Sequence, residues 1–193
     1  MKKQYFILVL SFFAVISCTT KKTNIVKPPL TAKVVRNINA TYDNFQYFSF
    51  AKGDTIPFAD STTANWDIAF KGTAVIVNGG IEKAGNGGVI IMDALFSEVV
   101  VAPTVGYKQE NTLPAIPNGS NNGWYNYAGP PMHTITPLAG KVFVIRTANG
   151  KYAKVEFISY YKNAPAEPNG LLDISKYYTI RYVYQPDGST DLN

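Results

Sequence analysis

The sequence predicts an all-β protein: a single antiparallel domain of two packed sheets with long inter-strand loops. Aromatic residues make up 13% of the 193 residues, including 13 Tyr and 11 Phe, and aromatic side chains favour strands. Short apolar runs recur between turn-forming residues along most of the chain. The sequence has no convincing amphipathic helix and no internal repeat, so its 46% hydrophobic content is assigned to the strands of one core.

We expect residues 1–17 to be a lipoprotein signal peptide. They combine a basic start with an apolar run over residues 5–16, which is shorter than the roughly 20 residues that a spanning helix needs. The sequence VISC, which ends at Cys18, resembles the lipobox of bacterial lipoproteins, and Cys18 is the only cysteine. Cys18 is therefore predicted to carry acyl chains, two or more of which anchor a protein stably. The alternative is a cleaved signal followed by a free thiol.

Residues 18–33 are predicted to form a flexible tether that starts at the lipidated cysteine, because they are polar and contain a Pro-Pro pair. The binding domain is assigned to residues 34–193. Its first strands are predicted in DNFQYFSFAKGD, which ends in a Gly-Asp turn, and in NWDIAF. In NWDIAF the large apolar side chains alternate with small or charged ones, which is the pattern of a half-buried strand.

The later strands flank two long loops. TAVIVN and GVIIMDAL are predicted strands on either side of residues 79–88, whose glycines are expected to allow positive φ in a hairpin loop. KVFVIRTANGKYAKVEFISYY is predicted to be a hairpin that turns at Asn149-Gly150, a dipeptide typical of two-residue type I′ turns. Residues 176–185 form the last predicted strand. The second long loop, residues 102–136, is rich in aromatic residues, so we expect a functional loop.

The composition excludes several classes of function. The formal net charge of +5 comes without a compact Lys/Arg cluster, so no nucleic-acid surface is predicted. Residues 79–88 lack the Gly-Lys-Ser/Thr ending of a P-loop and the spacing of a dinucleotide fingerprint. One histidine and one cysteine cannot build a structural zinc site, and no Gly-x-Ser-x-Gly elbow is present. We expect a binding protein and not an enzyme; a hydrolase with two converging carboxylates is the remaining enzymatic alternative.

The segment GPPMHTITP contains the only histidine, His133, directly after Met132. Histidine and methionine are both axial ligands of haem iron in proteins. Adjacent residues cannot normally reach opposite faces of one ring, so we expect one of them to coordinate, with Met92 a weaker candidate on the other face. The simpler alternatives are an exposed loop imidazole for His133 and gap-filling or core roles for the methionines.

The same loop supplies the candidate pocket residues Trp124, Tyr125 and Tyr127. Their rings are of the type that lines the slot of a flat apolar cofactor such as haem. Cross-strand packing within a sheet explains such residues equally well. Both interpretations stay open at the level of sequence.

Several of these segments resemble HmuY-like haem-binding lipoproteins in order and spacing. The resemblance rests on FQYFSFAKGD, NWDIAF, the GG…GG stretch, NNGWYNY and KVFVIRTANGKYAKVEFISYY, and it spans residues 45–161. It implies an all-β haemophore, anchored at the outer membrane and facing the periplasm or the exterior. Such a protein takes part in iron acquisition: it captures haem and passes it to a TonB-dependent outer-membrane receptor.

The chain departs from the family at the haem ligands. The best-known members hold haem between two histidines on separate loops, and some relatives use methionine. Here residues 106–122 contain no histidine, and a gapless match from Trp124 places Gly129 at the second histidine. The iron-ligand candidates of this chain are thus His133 and Met132, which would meet the metal only through haem. The alternative is a surface lipoprotein of the same fold that binds a glycan or a partner protein.

Overall fold

The structure is a computed structural model that describes residues 29–193; the predicted signal peptide, Cys18 and most of the tether lie outside the described residues. Within them the chain forms one short 3₁₀ turn, Phe58–Asp60, and eleven strands. The strands are β1 Lys33–Asn39, β2 Gln46–Ser49, β3 Asp54–Ile56, β4 Ile68–Lys71, β5 Ala74–Val77, β6 Gly88–Asp93, β7 Tyr125–Tyr127, β8 Ile135–Pro137, β9 Lys141–Arg146, β10 Tyr152–Tyr161 and β11 Ser175–Gln185. No helix in this part of the chain is long and apolar enough to span a membrane.

The strands form three sheets. The five-stranded sheet has the order β1-β11-β10-β9-β6, the four-stranded sheet has the order β3-β2-β4-β5, and β7 pairs with β8. Every one of these strand pairs is antiparallel. The two larger sheets share one apolar core, in which Phe70 of β4 lies in the same cluster as Phe143 of β9 and Ile180 of β11. The prediction of an all-β fold with packed antiparallel sheets is confirmed.

Strand β4 is buried on both sides, so the prediction of a half-buried strand is wrong. Ile68 and Phe70 point into the shared core, while Ala69 belongs to a second cluster with Tyr47 and Trp66. The segment around the 3₁₀ turn covers this second face, and the Trp66 indole N–H donates to the Ser61 carbonyl at 3.0 Å. Because both faces of β4 are covered, Ile68 and Phe70 lie in one apolar cluster and Ala69 in another, and none of the three faces solvent.

The five-stranded sheet is likewise covered on its outer face. Val142 and Val144 of β9 pack there in a cluster with Phe96 and Val99 of the loop that follows β6. Lys154 is buried beneath this loop: its Nζ donates to the Val99 carbonyl at 2.9 Å and lies 4.7 Å from the Phe96 ring centroid. Burial lowers the pKa of Lys154. The loop after β6 thus completes the domain and makes the outer face of β6 part of a core.

The β9–β10 hairpin turns through three residues, not two. Thr147 N donates to the Lys151 carbonyl at 2.8 Å and Gly150 N donates to the Thr147 carbonyl at 3.0 Å. Gly150 has a φ of 79°, whereas Asn149 is not among the residues with positive φ. A type I′ turn needs positive φ at both central positions, so the prediction of that turn at Asn149-Gly150 is wrong.

Close packing of the backbone explains most of the glycines in residues 79–88. Of the glycines there, only Gly80 has a positive φ, so the expectation of a loop opened by positive φ holds at one position. A Cβ on Gly79 would lie 2.0 Å from the Gly87 carbonyl oxygen, and one on Gly80 would lie 2.0 Å from that of Glu110. These contacts bring the second long loop against the end of β5.

The two ends of the domain are far apart. The described chain begins beside its carboxyl terminus, where Leu30 N donates to the Asn193 carbonyl at 2.9 Å, near the last residues of β11. At the other end Tyr161 pairs with Ser175, the first residue of β11. Ser175 is ten residues from the last residue of β11, which corresponds to about 33 Å along the strand.

Candidate functional site

The loop with the only histidine contains a small hairpin. β7 and β8 pair through Tyr127 and Ile135, and the next backbone bond joins Ala128 N to the Thr134 carbonyl at 2.9 Å. His133 N donates to the Gly129 carbonyl at 2.8 Å, which closes the turn. The hairpin is tied to the five-stranded sheet, because Ile135 N donates to the Tyr161 hydroxyl at 2.9 Å. The GPPMH segment therefore forms the tip of this hairpin, at the end of the domain that is remote from Leu30.

His133 is exposed at the tip, and its ring is oriented by Tyr127. The Tyr127 hydroxyl lies 2.5 Å from His133 Nδ1. No hydrogen bond from the described residues occupies the other ring nitrogen, Nε2. When Nδ1–H donates to the hydroxyl, the lone pair of Nε2 is available to a metal. Metal-bound histidines commonly have this arrangement, in which the second ring nitrogen donates to a fixed acceptor.

Met132 lies beside His133 with 52% of its surface exposed. The Thr134 hydroxyl donates to the Met132 carbonyl at 3.2 Å and also accepts a bond from Gly170 N at 3.2 Å. These bonds fix the backbone of the tip while the thioether remains at the surface. Met132 and His133 are thus brought together at one exposed place, as their sequence positions require.

Trp124 and Tyr125 do not line an open slot. Trp124 is 1% exposed; its ring stacks on Phe157 with centroids 5.1 Å apart, and its indole N–H donates to the Thr73 carbonyl at 2.9 Å. Tyr125 is also buried in the main core. Trp124 and Tyr125 therefore pack within the core, as the alternative interpretation of the sequence had it, and they support the base of the hairpin. Of the three aromatic candidates, only Tyr127 is at the surface.

Met92 lies on the other side of the five-stranded sheet. It is opposite Val142 in the β6–β9 pair and packs with the outer cluster under Phe96. The neighbouring Ile91 points the other way, against the core that contains Trp124. The sheet therefore stands between Met92 and the base of the hairpin, and the structure does not bring Met92 together with Met132 and His133.

A cleft lies in the part of the second long loop that precedes the hairpin. It has a volume of about 660 Å³ and is lined by Lys108, Gln109, Asn111, Leu113, Pro114, Ala115, Pro117 and Asn118. Leu113 is 77% exposed at its rim. Lys108 is the only charged residue of the lining, which contains no histidine, methionine or cysteine. The cleft is therefore an apolar pocket with one cation, and it offers no soft ligand for a metal.

Glu110 holds the cleft segment against the four-stranded sheet. Its carboxylate accepts bonds from Val77 N at 2.9 Å and Ala115 N at 3.2 Å. Burial raises the pKa of Glu110, and these two backbone bonds oppose that effect. This buried carboxylate replaces the backbone partner that the edge strand β5 would otherwise lack.

The cleft and the hairpin are consecutive parts of one structure. Ser120 lies between them, and its hydroxyl accepts a bond from Tyr127 N at 2.8 Å. Asn121 N donates to the Tyr125 carbonyl at 2.8 Å. The loop thus runs from the cleft along β7 to the tip. Within residues 29–193, no group of three or more His, Cys, Asp or Glu side chains could hold a metal ion.

Part of the chain matches a known family model. The family model described as HmuY protein matches residues 91–182, which include β7, β8 and the hairpin tip. This match confirms the HmuY-like resemblance for that part of the chain. No curated protein matches it.

Solved structures show the same fold. An HmuY-like protein of Bacteroides vulgatus, named as heme binding, is 20% identical, with a TM-score of 0.52 over 79% of this chain and 91% of its own. A protein of Bacteroides fragilis, named as a lipoprotein, is 19% identical, with a TM-score of 0.52 over 80% and 92%. Apo PinO from Porphyromonas gingivitis is 17% identical, with a TM-score of 0.55 over 80% and 97%. At these identities the likeness concerns the fold.

Sequence reasoning missed the turn at residues 169–173. A Cβ on Gly170 would lie 2.4 Å from both the carbonyl carbon and the carbonyl oxygen of His133. This contact joins positions that are 37 residues apart, and no local pattern reveals it. The only signal in the sequence is a pair of leucines between Gly170 and Asp173, in a segment with no strand periodicity.

Proposed function

We propose that this protein is an HmuY-like haem-binding lipoprotein of the haemophore type. It captures haem, or a related tetrapyrrole, and delivers it to a TonB-dependent outer-membrane receptor without catalysing a reaction. The observation that carries the proposal is the hydrogen bond between Tyr127 and His133 on an exposed tip, within the residues that match the HmuY family model. When His133 Nδ1–H is the donor in this bond, the pair has the arrangement in which metal-bound histidines commonly donate their second ring N–H to a fixed acceptor.

His133 is the proposed axial ligand, through Nε2. The donor chemistry fits the iron of haem, for which imidazole is the commonest axial group. Tyr127 holds the imidazole of His133 through Nδ1, on the side opposite Nε2, and its exposed surface contributes to the wall of the site. Met132 is the second candidate ligand on the same side of the ring. Trp124 and Tyr125 are buried in the core at the base of the hairpin and hold it in place.

The position of the tip fits a tethered protein. If Cys18 is lipidated, the anchor is connected through the tether to the end of the domain at Leu30. The hairpin tip lies at the opposite end, about 33 Å away along β11. A ligand held there faces away from the membrane, where a receptor can reach it. The related proteins that are named as heme binding and as a lipoprotein support this assignment.

A haemin titration of the mature protein tests the proposal. We expect a saturable change in the haemin absorption band in the micromolar range. His133→Ala should lower the affinity and shift the band of the bound state, whereas Met132→Ala should preserve the band if His133 is the ligand. The reverse pattern would assign the iron to Met132. An unchanged spectrum in the double variant would remove the tip from the site, and no saturable binding would remove haem as the ligand.

The glycan alternative finds less support at this hairpin. Sugar rings stack on exposed aromatic faces, and the burial of Trp124 and Tyr125 leaves Tyr127 as the exposed aromatic ring of the three.

A further inference from the structure

The turn at residues 169–173 is built from polar side chains that bond its own backbone. Asn169 Oδ1 accepts bonds from Leu171 N at 2.9 Å and Leu172 N at 3.2 Å. Asp173 Oδ2 accepts a bond from Asn169 N at 2.7 Å, and Asp173 N donates to the Asn169 carbonyl at 2.9 Å. The turn is thus closed from both sides, and its conformation does not depend on the two leucine side chains.

Those leucines point into solvent. Leu171 is 67% exposed and Leu172 is 81% exposed. Two adjacent leucines on a fixed turn form an apolar surface that contributes nothing to the core. Met132, across from this turn, adds a third exposed apolar side chain.

The turn packs directly against the backbone that carries the proposed ligand. Only glycine fits at position 170, because a Cβ there would lie 2.4 Å from the His133 carbonyl group and 2.6 Å from the Met132 carbonyl oxygen. Gly170 N also donates to Thr134 Oγ1 at 3.2 Å, and the same hydroxyl donates to the Met132 carbonyl. The backbone of the turn that carries the two leucines is therefore held against the backbone of His133, although 37 residues separate Gly170 from His133 in sequence.

We propose that Leu171 and Leu172 form an apolar wall of the ligand site and pack against the flat macrocycle that His133 holds. This inference rests on the proposed function. A flat apolar ring bound through one metal atom is free to tilt about that bond, and only contacts away from the metal restrain it. The 169–173 turn, which packs on the backbone of His133, supplies such contacts. The wall determines affinity for the macrocycle, while His133 determines the ligation of its metal.

The test compares two double variants of the mature protein in titrations with haemin. Leu171→Ser/Leu172→Ser should weaken binding at least tenfold and leave the absorption band at saturation where the wild-type protein has it. Leu95→Ser/Val101→Ser is the matched control, because both side chains are exposed apolar residues of another loop, at 59% and 60%. The control should bind within twofold of the wild-type protein.

Metal-free protoporphyrin IX distinguishes the contribution of the two leucines to binding from that of His133, since it has no iron for His133 to bind. Its affinity should fall at least tenfold in Leu171→Ser/Leu172→Ser and stay within twofold in His133→Ala. Wild-type affinity of the leucine variant for both probes would overturn the wall while leaving the proposed function intact. A wild-type protein that binds neither probe would overturn the proposed function itself.

Discussion

The hydroxyl of Tyr127 lies 2.5 Å from Nδ1 of His133, on the exposed tip of the β7–β8 hairpin. The bond spans the hairpin from the last residue of β7 to the closing residue of the turn. It fixes the rotation of an imidazole that has few other restraints, because the side chain is exposed. In the proposed site, the orientation of the iron ligand therefore depends on both residues, although only His133 would contact the metal.

Tyr127→Phe removes the partner of Nδ1 and keeps the ring. We expect haemin affinity to fall by about tenfold or more, the size of effect that loss of such a supporting bond has at metal sites. A haemin titration measures it. Tyr42→Phe, at another exposed tyrosine, is the control and should bind as the wild-type protein does. Equal affinity in both variants would show that the hydroxyl does not position the histidine.

Gly170→Ala should displace the hairpin tip. Its added methyl group would meet the His133 carbonyl group at 2.4 Å, and a backbone carbonyl cannot move aside as the end of a flexible side chain can. We expect weaker haemin binding together with an altered band of the bound state, because the imidazole itself shifts. This combination differs from the leucine variants, which keep the band.

The control for that substitution is Gly188→Ala, at the end of the domain near Leu30. An added Cβ there meets no atom within 4 Å, although the positive φ of Gly188 imposes backbone strain. It should cost some stability and leave haemin binding unchanged. If the two alanine variants behave alike, the contact between Gly170 and His133 has no role in ligand binding.

Trp124→Phe distinguishes a structural residue from a pocket residue. The substitution removes the indole N–H that donates to the Thr73 carbonyl and shrinks a ring stacked on Phe157. We expect the free energy of unfolding to fall by about 1–3 kcal/mol. Haemin affinity of the folded protein should change less than twofold. Denaturant unfolding and titration on the same sample measure both; a large loss of affinity with little loss of stability would place Trp124 in the ligand site.

The sequence is sufficient to predict the class of fold and the long strands, because these carry many residues of consistent pattern. β11 is one residue longer than its predicted extent, and β10 lies within the predicted hairpin. The hairpin of β7 and β8 was hidden inside a predicted loop, since strands of three residues are too short to show a period. The candidate pair Met132 and His133 was also visible, because its residue types are rare in this chain.

What the sequence could not predict depends on contacts between distant segments. Whether Trp124 faces a slot or a core depends on Phe157 and Thr73, which reach it from other parts of the chain. The face on which Met92 lies became apolar only because the loop with Phe96 covers it. The apolar character of Trp124 and Met92 is evident from the sequence. The same preference for burial, however, fits a ligand pocket, an inner core and an outer cluster alike.

The pH dependence of stability should reveal the buried Glu110. Burial raises its pKa in the folded state above the ordinary value of 4.5, so the folded protein binds this proton more tightly than the unfolded chain does. The stabilisation from the proton is fully present below the unfolded pKa and is lost as the pH rises through the folded pKa. Burial also raises the pKa of Asp67, which acts in the same direction.

Glu110→Gln removes one of these two contributions. Between the ordinary pKa and the raised one, we expect the free energy of unfolding of the wild-type protein to decrease with pH, with a contribution of at most about 1.4 kcal/mol per pH unit from each carboxyl group. The variant should show a shallower decrease, because glutamine does not titrate. Its amide oxygen can accept only one of the bonds from Val77 N and Ala115 N with similar geometry, so the variant also loses stability. Denaturant unfolding at several pH values measures the slope, with Thr112→Ala, an exposed neutral change in the same loop, as the control. The same slope in Glu110→Gln and the wild-type protein would mean that the carboxyl group titrates alike in the folded and unfolded chains, and burial would then not raise its pKa.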